Sequence, residues 1–138
     1  ALIEFASHIE KEALQESSET VLASIFKKRL PMLQAVWLDP VEPTKEQMEH
    51  AEHLVATSGV VIVATRNAHL SLRQLDAALK LLEGSRVLVC LRNPYDAGVL
   101  QADTTLLTLG DSTPSMQAAA DALLGYYKPT AKLHVPLK

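Results

Sequence analysis

The sequence predicts an α/β fold, a three-layer αβα sandwich around a mostly parallel five-stranded sheet, and three observations carry that prediction. Five short apolar runs of strand length recur along the chain: Ala1 to Phe5, Ala35 to Leu38, Val60 to Thr65, Val87 to Leu91 and Thr105 to Leu109. Segments with helical spacing of their apolar residues separate these runs, giving a β-α-β alternation. The runs are apolar almost throughout, the pattern of strands covered by helices on both faces.

Each helical segment presents one apolar stripe able to cover a sheet. The stripes are Leu22, Ile25, Phe26 and Leu30 in the first; Met48, Ala51 and Val55 in the second; Leu72, Leu75, Leu79 and Leu82 in the third; and Met116, Ala119, Ala120 and Leu123 in the fourth. Thr44 with Gln47 and Ser71 with Gln74 fit the capping box, and Thr113 before Pro114 fits an N-cap followed by proline at the first helical position. Gly84 and Gly125 are candidate helix stops. Right-handed crossovers then favour an open, doubly wound sheet of flavodoxin-like strand order 2-1-3-4-5. Leu133 to Leu137 is a candidate sixth, edge strand, where Pro136 is tolerated. No repeat or linker interrupts the pattern, so one domain is expected over residues 1–138.

Composition narrows the function classes. With 138 residues, 48% of them hydrophobic, the chain can bury a core without disulfides or a metal. A formal charge of −3 leaves no basic excess to neutralise the phosphates of a nucleic acid. Aromatic residues make up 4%, too few for a base-stacking surface or a ring platform for sugars. Cys90, the single cysteine, lies within Val87 to Leu91, where a thiol packs like an aliphatic group. No apolar stretch is long enough to span a bilayer, and no signal-peptide pattern opens the chain, so a soluble chain with no membrane partner is expected; the sequence does not fix the compartment, for which the cytoplasm is a guess. A chain opening at Ala1 directly in an apolar run is expected to be a piece cut from a longer protein.

Open α/β sheets bind ligands beyond the carboxyl ends of their strands. The residues there are Ser7 and His8 after the first run, Asp39 after the second, and Arg66 and Asn67 after the third. Arg92, Asn93, Tyr95 and Asp96 follow the fourth, and Asp111 follows the fifth. The first run leads into Ala6, Ser7 and His8 with no glycine, which excludes the tight phosphate-cradling turns of dinucleotide and P-loop sites. A phospho-acceptor receiver needs an aspartate where the third run ends in Thr65 and Arg66. His50 and His53 share helical spacing but stand among Glu46, Glu49 and Glu52, which reads as a solvated helix face rather than a metal site; no metal or cofactor is assigned. His69 precedes a helix start and His134 lies in the C-terminal extended piece; neither has a neighbouring carboxylate or serine arranged for nucleophilic work, and both read as structural or interfacial. Asp96 and Asp111 are a conceivable carboxylate pair for glycoside hydrolysis, although spacing in sequence does not set their separation. Leu91 to Asp96 is the most specific local feature, either a proline turn or a docking loop.

Three stretches carry a family resemblance. They are Val60 to Ala68, Leu91 to Asp96, and Ser115 to Gly125 with the tail Pro129 to Leu137. With the element order, they resemble the C-terminal α/β domain of bacterial glycoside hydrolase family 3 enzymes, in the β-N-acetylhexosaminidase branch. The tail is similar to that family's Pro-Thr-Gly-Lys-Leu-Pro-Val motif, with Ala131 in place of its glycine and His134 in place of its proline. Leu109, Gly110 and Asp111 stand where an aromatic residue and a glycine often occur.

The resemblance implies that catalysis belongs to an N-terminal (β/α)8 barrel carrying an aspartate nucleophile and a proton-transferring histidine. The barrel's Lys-His-Phe-Pro-Gly-type motif is absent from this sequence, so no catalytic residue is assigned and the isolated chain is expected to be inactive. The implied partners are that barrel and, through it, saccharides ending in N-acetylglucosamine. Arg66, Asn67, Arg92, Asn93, Tyr95, Asp96 and Asp111 are the candidates for contact with the barrel or substrate. The competing reading is a stand-alone flavodoxin-like module that binds a small ligand or a protein without hydrolase activity.

Overall fold

The computed structural model describes residues 1–7, 19–83, 86–92, 94–108, 110 and 112–124. Within them lie five strands, β1 (Leu2–Phe5), β2 (Ala35–Leu38), β3 (Ile62–Thr65), β4 (Val87–Cys90) and β5 (Thr104–Leu107). Four α-helices accompany them, α1 (Val21–Arg29), α2 (Lys45–Thr57), α3 (Leu72–Leu81) and α4 (Thr113–Leu123), with 3₁₀ turns at Ala68–Leu70 and Pro94–Gly98. All four strand pairings are parallel and the order is β2-β1-β3-β4-β5, the predicted doubly wound arrangement.

Side chains alternate across the sheet and build two cores. Ile3, Phe5, Val63, Leu88 and Cys90 pack on one face with Ala51, Ala77, Ala78 and Leu81 of α2 and α3. Leu2, Ile62, Ala64 and Val89 pack on the other with Leu22, Phe26, Met116 and Ala120 of α1 and α4. The central strands β1 and β3 are buried throughout and β4 nearly so, whereas the edges β2 and β5 are only partly covered. Expecting near-complete burial of every strand therefore fails at the edges, where one neighbour is missing.

The predicted boundaries shift slightly. Val60 and Val61 precede β3, Leu91 follows β4, and β5 starts one residue before Thr105. Leu109, Gly84, Gly125 and the proposed edge strand Leu133–Leu137 lie outside the described residues.

The α3 stripe needs a larger correction. Leu72 and Leu79 are exposed, and the buried face is Gln74, Ala77, Ala78 and Leu81. The alanines let the helix backbone approach the sheet closely, turning two of the predicted core leucines outward. Leu30, placed on the α1 stripe, is likewise exposed beside the helix end.

Capping follows the sequence closely at α2. Thr44 accepts from the Gln47 amide at 3.1 Å, and the Gln47 side chain accepts from the Thr44 amide at 3.0 Å. At α4 the N-cap is Ser112, which accepts from the Ser115 amide, so Thr113 is the first helical residue and Pro114 the second. A proline fits there because amides in the first turn have no intrahelical acceptor.

Candidate functional site

The parallel registers bring Phe5, Leu38, Thr65 and Cys90 to one end of the sheet, so the loops that follow them form a common rim. β1 leads to β2 on one side and β3 leads to β4 on the other, which makes the β1/β3 boundary the topological switch point. A cleft of about 320 Å³ opens there, its walls supplied by the loops after β1, β2, β3 and β4.

One buried network supports the cleft from below. Glu4, on the α1/α4 face of β1, and Arg66, just beyond β3, are 1% and 4% exposed. The Arg66 guanidinium donates to Glu4 Oε2 at 2.8 Å and to the Phe5 carbonyl at 2.5 Å. Thr20, the N-cap of α1, donates its hydroxyl to Glu4 Oε1 and accepts from the Ala23 amide at 3.1 Å. The charge of Arg66 is thus balanced inside the domain.

Gln74 ties the neighbouring loops together. Its side-chain oxygen accepts from the Arg66 amide at 3.1 Å, and its nitrogen donates to the Pro40 carbonyl at 2.7 Å. The predicted Ser71–Gln74 capping box is therefore half formed. Ser71 accepts from the Gln74 amide at 3.4 Å, while the Gln74 side chain crosses to the β2 and β3 loops.

Asp96 organises a second network on the α2/α3 side. It is 1% exposed and accepts from Thr65 Oγ1 at 2.7 Å, the Ala68 amide at 3.1 Å and the His69 amide at 2.9 Å. His69 Nδ1 completes the set at 2.7 Å. Asn67 makes these contacts possible by adopting φ 57°, ψ 37°, a left-handed turn that aims the next two amides inward. The rings of His69 and Tyr95 meet at a centroid separation of 5.5 Å and an angle of 55°.

The predicted site residues thus divide. Arg66 and Asp96 are buried and engaged in bonds, Arg66 at the floor of the cleft, while Asn67 and Arg92 also line the cleft and Tyr95 is exposed beside His69. Asn93 and Asp111 lie outside the described residues, as do His8 and His134, so the supposed Asp96–Asp111 pair has only one described member. His69 does have a carboxylate partner, 27 residues away in sequence, which inspection of its neighbours could not reveal.

His50 and His53 are exposed on α2, and the described residues contain no cluster of three or more side chains able to hold a metal. Cys90 is buried; desolvation, reinforced by the Asp96 charge, pushes its thiol up to about 12. No described helix is long and apolar enough to cross a membrane.

Among the described residues, buried polar side chains tie the rim loops to one another, and exposed apolar residues stand at the cleft, with Val41 and Leu70 in its wall and Leu72 next to Ser71 in sequence.

No family profile matches the chain, and no curated protein does. Two solved structures do. The first is a glycoside hydrolase family 3 β-N-acetylglucosaminidase from Paenibacillus sp. strain FPU-7, with a TM-score of 0.79 and 22% identity over 99% of this chain and 27% of that one. The second is a fungal multi-domain family 3 β-N-acetylglucosaminidase containing a GCN5-related glucosamine N-acetyltransferase region, with a TM-score of 0.70 and 23% identity over 91% of this chain and 14% of that one. The chain therefore spans about a quarter or less of the proteins it resembles, and at these identities the likeness establishes its fold.

Proposed function

We propose that this chain is the C-terminal α/β domain of a glycoside hydrolase family 3 enzyme of the β-N-acetylhexosaminidase type, seated beside a (β/α)8 barrel that performs the chemistry. The observation that carries this reading is the match of nearly the whole chain to one part of a much longer β-N-acetylglucosaminidase. The family motifs in the sequence support it independently. The parent enzyme, of bacterial origin in this reading, removes terminal N-acetylglucosamine from saccharides, and this domain shapes the approach to the barrel.

In this reading the rim is the docking surface. Arg92, Asn67 and Tyr95 reach the barrel or the substrate, and Asn93 and Asp111 remain candidates for the same role. Arg66 and Asp96 act from beneath by fixing the loops. The exposed Leu70 and Leu72 supply apolar area of the kind that domain interfaces cover.

The test is hydrolysis of 4-nitrophenyl N-acetyl-β-D-glucosaminide by this chain and by a protein extended upstream of Ala1. Activity confined to the longer protein is the expected result. Activity in the 138-residue chain overturns the accessory role, and inactivity of both overturns the hydrolase assignment.

A further inference from the structure

We propose that the switch-point cleft binds a small oxyanion-bearing ligand, with Arg92 as its charged contact. This goes beyond the docking role of the rim and does not depend on it.

Position is the first argument. Crevices at the switch point of a doubly wound sheet are where such folds place ligands, because adjacent loops diverge there and leave an opening. The cleft, at about 320 Å³, falls at the small end of the roughly 300–1,000 Å³ typical of small-molecule sites. It suits a compact metabolite rather than a long polymer.

Charge is the second. The ionisable side chains in the cleft wall are Arg66 and Arg92, and no carboxylate lines it among the described residues. Arg66 is already balanced by Glu4 at 2.8 Å. Arg92 is exposed and makes no ion pair among the described residues, so the described lining of the cleft carries a positive charge that no described carboxylate balances.

The nearby carboxylates among the described residues are engaged elsewhere. Asp39 accepts from the amides of Val41 and Glu42, Glu42 pairs with Arg73, and Asp96 is buried against Thr65 and His69.

The third argument is the chemistry of the wall. Ser7, Asn67 and Ser71 bring hydroxyl and amide groups to the same opening, while Val41 and Leu70 provide apolar sides. A guanidinium offers paired donors matched to two oxygens of a phosphate or carboxylate, which gives an anion a preferred orientation. A neutral polyol lacks the complementary charge.

The experiment is an amide-resolved NMR titration of the 138-residue chain at constant ionic strength. Sodium phosphate, sodium acetate and neutral N-acetylglucosamine are added separately to the wild type, Arg92→Gln and Lys28→Gln, the last an exposed position on α1 outside the cleft lining. Saturable shifts at Ser7, Asn67, Ser71 and Arg92 are expected with phosphate or acetate, the stronger of the two identifying the oxyanion class. Arg92→Gln weakens that binding by about tenfold and Lys28→Gln leaves it unchanged.

Absence of saturable shifts overturns the proposal. So does equal weakening by both substitutions, which marks diffuse charge attraction, or equal binding of N-acetylglucosamine. Because the titration needs no barrel, its failure and that of the hydrolase reading are separate results.

Discussion

Glu4 and Arg66 lie 62 positions apart in sequence and meet at 2.8 Å beneath the rim, joining β1 to the loop after β3. Neither charge can be released to solvent without opening the sheet, since both are almost wholly buried. Removing one partner strands the other charge in a low-dielectric site, so Glu4→Leu and Arg66→Met should each destabilise the domain by about 3–5 kcal/mol. The double substitution should recover much of that loss because no isolated charge remains. Urea unfolding of the four proteins measures this, and additive losses would contradict the pairing.

The Asp96 network predicts a local effect as well as a global one. Asp96→Asn preserves volume but replaces one acceptor oxygen with a donor, facing groups that themselves donate. Loss of a charge-assisted bond is worth roughly 1.5–3 kcal/mol. Hydrogen exchange should accelerate first at the amides of Ala68 and His69, ahead of the β3 and β4 ladder. Uniform acceleration across the domain would show that Asp96 acts only through overall stability.

Much of this fold was legible because burial leaves a regular trace in sequence. β1, β3 and β4 are sandwiched between helix layers, so their residues read as apolar runs interrupted only by Glu4 and Thr65, and the Thr44–Gln47 box marks a helix start through contacts only three residues apart. Legibility failed where tertiary packing overrode local pattern. Leu72 and Leu79 look like core but are exposed, while Gln74 looks like a cap and is buried as a bridge between loops. The rim residues were identified by position after each strand, but their division into support and surface was hidden. It depends on pairings such as Glu4 with Arg66 and His69 with Asp96, which only the chain's return across the sheet creates.

Asn67 tests whether the left-handed turn is a requirement of the rim. Asn67→Gly should keep the native backbone and change stability by less than about 1 kcal/mol, since glycine enters this conformation freely. Asn67→Val should cost more, on the order of 1–3 kcal/mol, because a β-branched side chain crowds the following carbonyl at φ 57°. Thermal unfolding of the two variants gives the comparison, and equal stability would mean that the loop relaxes.

Cys90 provides a pH test of the core. Its thiol is raised from 9.0 to about 12 by burial and by the negative charge of Asp96. The unfolded chain therefore loses this proton at lower pH than the folded one, and above pH 9 the unfolded state binds fewer protons. The resulting contribution to stability is complete below 9.0 and is lost progressively as pH rises toward about 12. Cys90→Val removes this titration, so stability measured from pH 8 to 11 should decline less steeply in the variant than in the parent. The same burial predicts that the native thiol resists alkylation by iodoacetamide at pH 8 and reacts once urea unfolds the chain. Rapid labelling of the folded protein, or identical slopes in the two proteins, would place Cys90 in contact with solvent rather than in the core with Val63 and Leu88.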